Sequence, residues 1–291
     1  MKLDDVTIGE KELIGFLDTQ SDFEFELSIL RLLSERRFTC DHGGTYADEA
    51  TKKPRQFDIR ASRTVTDGKF RYTVRLAVEC KNIGRNFPLL VSRVPRRHEE
   101  AFNEVIVSAD SDVLRLPRFT PLKNSESIRL QRSRSLYNLD RPVGKACDQV
   151  GLSRGEVCSS DTGIYDKWSQ ALSSAHDLTS DAFSAGYKHK CIALSLVLPI
   201  LIVPDGRLWV ADHDAEGKRK GSPYEADRCS YYVNREYNHG TGGFTETTTV
   251  SHLEFCTAKG LLELLQPFTD DVSFLEMFEE EHLMDKLGYD E

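Results

Sequence analysis

Residues 55–82, RQFDIRASRTVTDGKFRYTVRLAVECKN, leave little choice but a pair of strands. Phe70, Tyr72, Val74, Leu76, Val78 and Cys80 alternate with Arg71, Thr73, Arg75, Ala77, Glu79 and Lys81, the period of a half-buried strand. The preceding stretch alternates in the same way, with Phe57, Ile59, Ala61 and Val65 on one side. Asp67-Gly68 between them marks a two-residue hairpin turn, because such turns need positive φ at their centre. If Thr66 faces Lys69, then Asp58 faces Ala77, and Glu79 is the diagonal neighbour of Asp58 on one face. Diagonal neighbours lie about 7–8 Å apart, within reach of a shared ion.

The polar face of this hairpin ends in Glu79-Cys80-Lys81. Two carboxylates converging from adjacent strands form a hard, all-oxygen cation site suited to Mg²⁺. A lysine beside them can stabilise the charge that develops during phosphodiester hydrolysis. An exposed hairpin face whose charges only pair with one another has the same pattern, since surface ion pairs need no function. A third carboxylate lies upstream. In SDFEFELSILRLLSERRF (21–38), Ser21 and Glu24 have capping-box spacing. Glu26 then shares a helical face with Ile29, Leu30 and Leu33. A carboxylate is costly to bury alone on an apolar face; facing a cation would account for it, and so would a position at the rim.

Together these residues resemble the PD-(D/E)xK nuclease superfamily, with the nearest likeness to Mrr-type restriction endonucleases and archaeal Holliday-junction resolvases. The matching segments are ELSILRLLSERRF with Glu26, QFDI with Asp58, and VECKN with Glu79 and Lys81. Phe57 stands where that family often has proline. The resemblance implies an α/β fold, a restriction-endonuclease-like αβββαβ core with a mixed sheet flanked by helices, here carrying a large insertion. It implies that Asp58, Glu79 and the Cys80 backbone carbonyl bind Mg²⁺, with Mn²⁺ able to substitute. Glu26 would act through a bound water, and Lys81 would assist the nucleophile. The implied activity is that of a metal-dependent endonuclease cutting DNA to 5′-phosphate and 3′-hydroxyl ends, in a setting such as bacterial restriction or anti-phage defence. A regulatory protein partner or a homo-oligomer would restrain it. A non-catalytic nucleic-acid-binding or assembly protein on a nuclease-like scaffold stays open as an alternative. So does a nuclease directed at RNA or branched structures.

The rest of the chain is expected to complete that core. Residues 1–110 would hold its first part, with Pro95 opening a covering helix over 95–109. Residues 111–187 look like a basic, loop-rich to helical insertion, with a helix over 164–186 ending at Gly186. Residues 188–268 would resume the sheet and add a closing helix, and 269–291 read as an acidic amphipathic helix. The apolar run CIALSLVLPILIV (191–203) is too short to span a bilayer and reads as a strand buried on both faces.

The net charge of −9 argues against a nucleic-acid partner until its distribution is considered. Eight basic residues lie between Arg115 and Lys145 against Glu126 and Asp140, while nine acidic residues crowd the stretch from Asp270 to Glu291. Arg129, Arg132 and Arg134 in the basic segment, with Arg93, Arg96 and Arg97 before it, are therefore the candidate phosphate contacts. For the basic segment, docking onto the acidic tail is the competing use; for the arginines at 93–97, a solvated helix end is. Seven scattered cysteines without CxxC pairs, in a chain that opens with no apolar leader-like run, point to free thiols and a cytoplasmic protein with no membrane partner.

Overall fold

The computed structural model describes residues 5–19, 21–48, 51–114, 125–130, 136–160, 162–241 and 244–278. The fold is α/β, built on one large mixed sheet with helices against it. In chain order the elements begin with α1 (Glu10–Thr19), α2 (Phe23–Glu35), β1 (Thr39–His42), β2 (Thr45–Ala47) and β3 (Pro54–Gln56). There follow β4 (Ile59–Asp67), β5 (Phe70–Cys80), β6 (Leu89–Val94), β7 (Asn103–Ala109), α3 (Ser111–Leu114) and β8 (Ser125–Leu130). Next come β9 (Val143–Ser153), β10 (Glu156–Ser160), α4 (Thr162–His189), β11 (Ile192–Ile202), β12 (Leu208–Asp212) and β13 (Tyr224–Glu225). The chain closes with β14 (Arg228–Thr241), β15 (Phe244–Cys256), α5 (Ala258–Leu265) and α6 (Asp271–Glu276).

The sheet runs β1-β4-β5-β11-β15-β14-β9-β6-β12-β13, with β7 joined to β11, β8 joined to β7, and β10 joined to β9. The apolar run is its centre: β11 pairs in parallel with the whole of β5, from Ile192↔Phe70 to Ile202↔Cys80. On its other edge β11 first meets β7, antiparallel, and then β15, parallel. Pro199 falls where one neighbour gives way to the next, so the amide it lacks interrupts neither ladder on that edge.

The hairpin forms, with its turn one residue later than expected. Asp67 pairs with Phe70, which leaves Gly68-Lys69 as the loop, and only Gly68 has positive φ (54°). Both strands slide together, so the facing pattern survives but the partners change. Ile59 now faces Val78, and Asp58, one step further on, stands directly across from Glu79.

Both faces of β5 are covered. Ile29 and Leu33 of α2, Leu261 and Leu264 of α5, and Phe274 of α6 pack with Val74, Leu76 and Val78. Helix α4 covers the opposite face, where Ala175 and Leu178 meet Ala77. The covering helix expected over 95–109 does not form: the segment is a short 3-10 turn, His98–Glu100, followed by β7. Val105, Ile106 and Val107 are all buried, and the β-branched run is accommodated as a strand against β11.

The covering role belongs to α4, from within the segment read as an insertion. That segment is also tied to the sheet through β9, which pairs with β6 and touches β14. Helix α4 runs past Gly186 to His189, and Gly186 serves close approach instead of termination. A Cβ there would lie 2.3 Å from the carbonyl oxygen of Ser108 in β7. The acidic tail begins with the short helix α6 and buries Phe274 and Phe278 in the core; residues 279–291 lie outside the described residues. All seven cysteines are free thiols, and among the described residues no helix is long and apolar enough to cross a membrane.

Candidate active site at the end of the hairpin

Strand β5 ends in the site. Glu79 sits one residue before the last ladder position, on the face turned toward α4, and its side chain is 0% exposed. Asp58, just before β4, faces it and is locked in by reciprocal hydrogen bonds. The Cys80 amide donates to Asp58 Oδ2 at 2.8 Å, and the Asp58 amide donates to Glu79 Oε1 at 3.4 Å. Cys80 thus enters the site through its amide. Burial, and then the charge of Asp58, push the Glu79 carboxyl up to about 9, against the lowering effect of a lysine.

That lysine is Lys167, on the second turn of α4. Its Nζ lies 2.8 Å from Asp58 Oδ2 and 3.3 Å from Glu79 Oε2. Burial disfavours its charged form, but the two carboxylates more than offset this and hold it above the usual lysine range. Two further turns of α4 are fastened to the same edge. Gln170 donates to the Gln56 carbonyl, and Arg60 reaches Ser174 and Asp177, the latter at 2.7 Å.

Glu26 is on α2, beside the site. Its Oε2 lies 3.1 Å from His42 Nε2, and burial and the Asp58 charge raise its carboxyl above the ordinary value. The Phe23 ring leans on His42 with centroids 5.9 Å apart. Ser21 does not form the reciprocal capping box; its Oγ accepts from the Phe23 amide, and Asp22 is the N-cap residue.

Lys81 is placed differently from the expectation drawn from the resemblance. Its Nζ pairs with Asp22 Oδ2 at 3.1 Å, and the neighbouring Asn82 amide donates to Asp22 Oδ1 at 2.6 Å. The structure therefore brings together Glu26, Asp58 and Glu79, adds Lys167, and ties Lys81 to the start of α2. Lys167 was legible in principle. It lies at offsets of three, four and eight from Ile164, Ala171 and Ala175, all fully buried, so it is a charge on the apolar face of a helix, the same signal that singled out Glu26.

The described arginines proposed for phosphate have partners within the chain. Arg93 is bidentate to Asp212, and Arg97 pairs with Glu99 and Glu100. Arg129 pairs with Glu104 and lies over the Phe102 ring. Arg96 is 5% exposed and donates to the carbonyls of Glu100 and Arg141, which makes it a core residue. Arg132 and Arg134 lie outside the described residues.

Among the described residues no group of three or more His, Cys, Asp or Glu side chains is arranged to hold a metal ion. The pair Asp58–Glu79 is nonetheless chemically suited to a hard cation: two carboxylates face each other and already share one positive group, the Lys167 ammonium. Comparison with protein-family models, curated proteins and solved structures finds no match.

Proposed function

We propose that this chain is a metal-dependent nuclease of the PD-(D/E)xK type, with the corresponding restriction-endonuclease-like core, acting on DNA. The observation that carries the reading is the direct opposition of Asp58 and Glu79 at the end of the β4–β5 hairpin, with a cationic group between them. Asp58 and Glu79 would hold Mg²⁺ or Mn²⁺. The bound ion would supply Lewis-acid polarisation of the phosphate and make a water acidic enough to attack it.

The chain's own groups divide the remaining work. The Cys80 amide fixes Asp58, and the Asp58 amide fixes Glu79, so neither carboxylate needs to reorganise. Glu26 is the carboxylate positioned to take the proton of the attacking water, and His42 beside it can pass that proton outward. Helix α4 shuts solvent off from Glu79.

One observation favours a second reading, a nuclease-like scaffold without catalysis: the Lys167 ammonium already occupies the space between the two carboxyl groups, and a buried ionic cluster can be purely structural. Incubation with supercoiled plasmid, linear duplex, single-stranded DNA and RNA separates the two. Mg²⁺-dependent cutting is expected, abolished by EDTA and lowered at least about 100-fold by Glu79→Ala. Absence of cutting on every substrate, or cutting that survives both controls, overturns the nuclease reading.

A further inference from the structure

We propose that the lysine facing the scissile phosphate is Lys167 of α4, and that Lys81 is a structural tie between the end of β5 and the start of α2. This inference rests on the nuclease reading above. The lysine of such a site must reach the atoms that the carboxylates gather, because negative charge grows on the phosphate beside them. Lys167 meets that condition, with its ammonium in contact with both Asp58 and Glu79 and 19% of its side chain exposed. A phosphate drawn toward the carboxylate pair comes within reach of this ammonium.

Its stem is held as a reacting group should be. Ile164 and Ala171, on the turns before and after it, are buried against the sheet. Trp168 packs beside them. One turn further on, the Tyr46 hydroxyl donates to the Gln170 carbonyl at 3.3 Å, and Gln170 donates to Gln56. The backbone of Lys167 is thus pinned to the segment that delivers Asp58.

Lys81 has different employment. The carboxylate of Asp22 makes no side-chain cap on its own helix; one oxygen takes the Lys81 ammonium and the other takes the Asn82 amide. Asn82 Nδ2 donates in turn to the Ser21 carbonyl at 3.3 Å, while the Lys81 amide continues the ladder to Ile202. Four hydrogen bonds thus clamp residues 81 and 82, and the ammonium is part of the clamp. Lys81 acts on the site only by holding α2, and with it Glu26, in place.

The test uses the full chain with Lys167→Met, Lys81→Met and Asp22→Asn, reading plasmid cleavage and the thermal unfolding midpoint with and without Mg²⁺. Lys167→Met is expected to lose at least about 100-fold in cleavage. Its midpoint should rise with Mg²⁺ by more than that of wild type, since the ammonium no longer competes for the carboxylates. Lys81→Met and Asp22→Asn should cleave within about threefold of wild type while melting roughly 2 °C lower without metal. Loss of cleavage in folded Lys81→Met, or wild-type cleavage in Lys167→Met, overturns the assignment and leaves the nuclease reading standing. If the wild-type chain cuts nothing, that reading falls and the melting curves decide the rest. A Mg²⁺ response altered by Lys167→Met and untouched by Lys81→Met upholds Lys167 as the group on the carboxylate pair. The reverse pattern, or no response in any variant, overturns it.

Discussion

Glu79→Gln is expected to give a protein that no longer cuts and is more stable than wild type at pH 8. Glu79 is fully buried, and its carboxyl is raised to about 9 by burial and by Asp58. The folded chain therefore keeps a proton that the unfolded chain releases above its ordinary value of 4.5. Stability contributed by that proton is present in acid and is lost as the pH climbs from the ordinary value toward about 9. The slope reaches at most about 1.4 kcal/mol per pH unit. The upward shift of Lys167 adds stability that is lost only above the usual lysine range, so it does not cancel this window. Glutamine keeps the shape of Glu79 and carries no proton to lose; its single oxygen can accept from Lys167 or from the Asp58 amide, which in Glu79 bond to different oxygens. Urea unfolding of both proteins at pH 5, 7 and 9 should show a steeper fall with pH for wild type than for the variant. Mg²⁺ should raise the wild-type midpoint more at pH 8 than at pH 6, because binding requires the deprotonated carboxylate. Parallel lines for the two proteins would remove the buried acid from the account.

Gly186→Ala should be among the most damaging small substitutions in the chain. In an ordinary helix this change stabilises by about 1 kcal/mol. Here the new Cβ would lie 2.3 Å from the carbonyl oxygen of Ser108, 2.4 Å from its carbon and 2.5 Å from the Ala109 nitrogen. These are backbone atoms of β7, a strand bonded on both edges, so they cannot swing aside as a side chain would. The same contact carries hydrogen bonds: the Gly186 amide donates to Ser108 Oγ at 2.8 Å, and that hydroxyl donates to the Ala182 carbonyl at 3.0 Å. The helix must lift from the sheet, at a cost of about 3 kcal/mol. A midpoint lowered by roughly 6–12 °C is the expected reading in a thermal melt. A neutral or stabilising result would show that the approach is looser than this.

The sequence was informative where one residue type had one physical use. Strict alternation and a glycine turn made the hairpin legible, and the uncharged run around Leu198 announced the central strand. The register was not, because a glycine tolerates either of two turn positions, and sliding the loop from Asp67-Gly68 to Gly68-Lys69 keeps every side chain on its face. The helix expected over 95–109 rested on Pro95, but Val105, Ile106 and Val107 pack on both sides of a strand, where alternation disappears. Of the site, Glu26, Asp58 and Glu79 were legible from their spacing to apolar neighbours. Lys167 carries the same apolar-face signal as Glu26, but no local string connects a helix residue to a hairpin 88 positions earlier, so its place in this site was not legible.

The parallel pairing of β5 with β11 has a consequence for how such a site could be moved between proteins. The hairpin bearing Asp58 and Glu79 is contiguous in the chain, yet its inner edge is completed by residues 192–202 and its polar face by α4. A fragment ending at residue 110 would leave an open strand edge, an uncovered acid pair and no Lys167. Grafting or trimming experiments therefore have to carry residues 26 to 202 as one piece; the string bearing the acid pair is short, but the smallest unit that could be inherited is most of the domain.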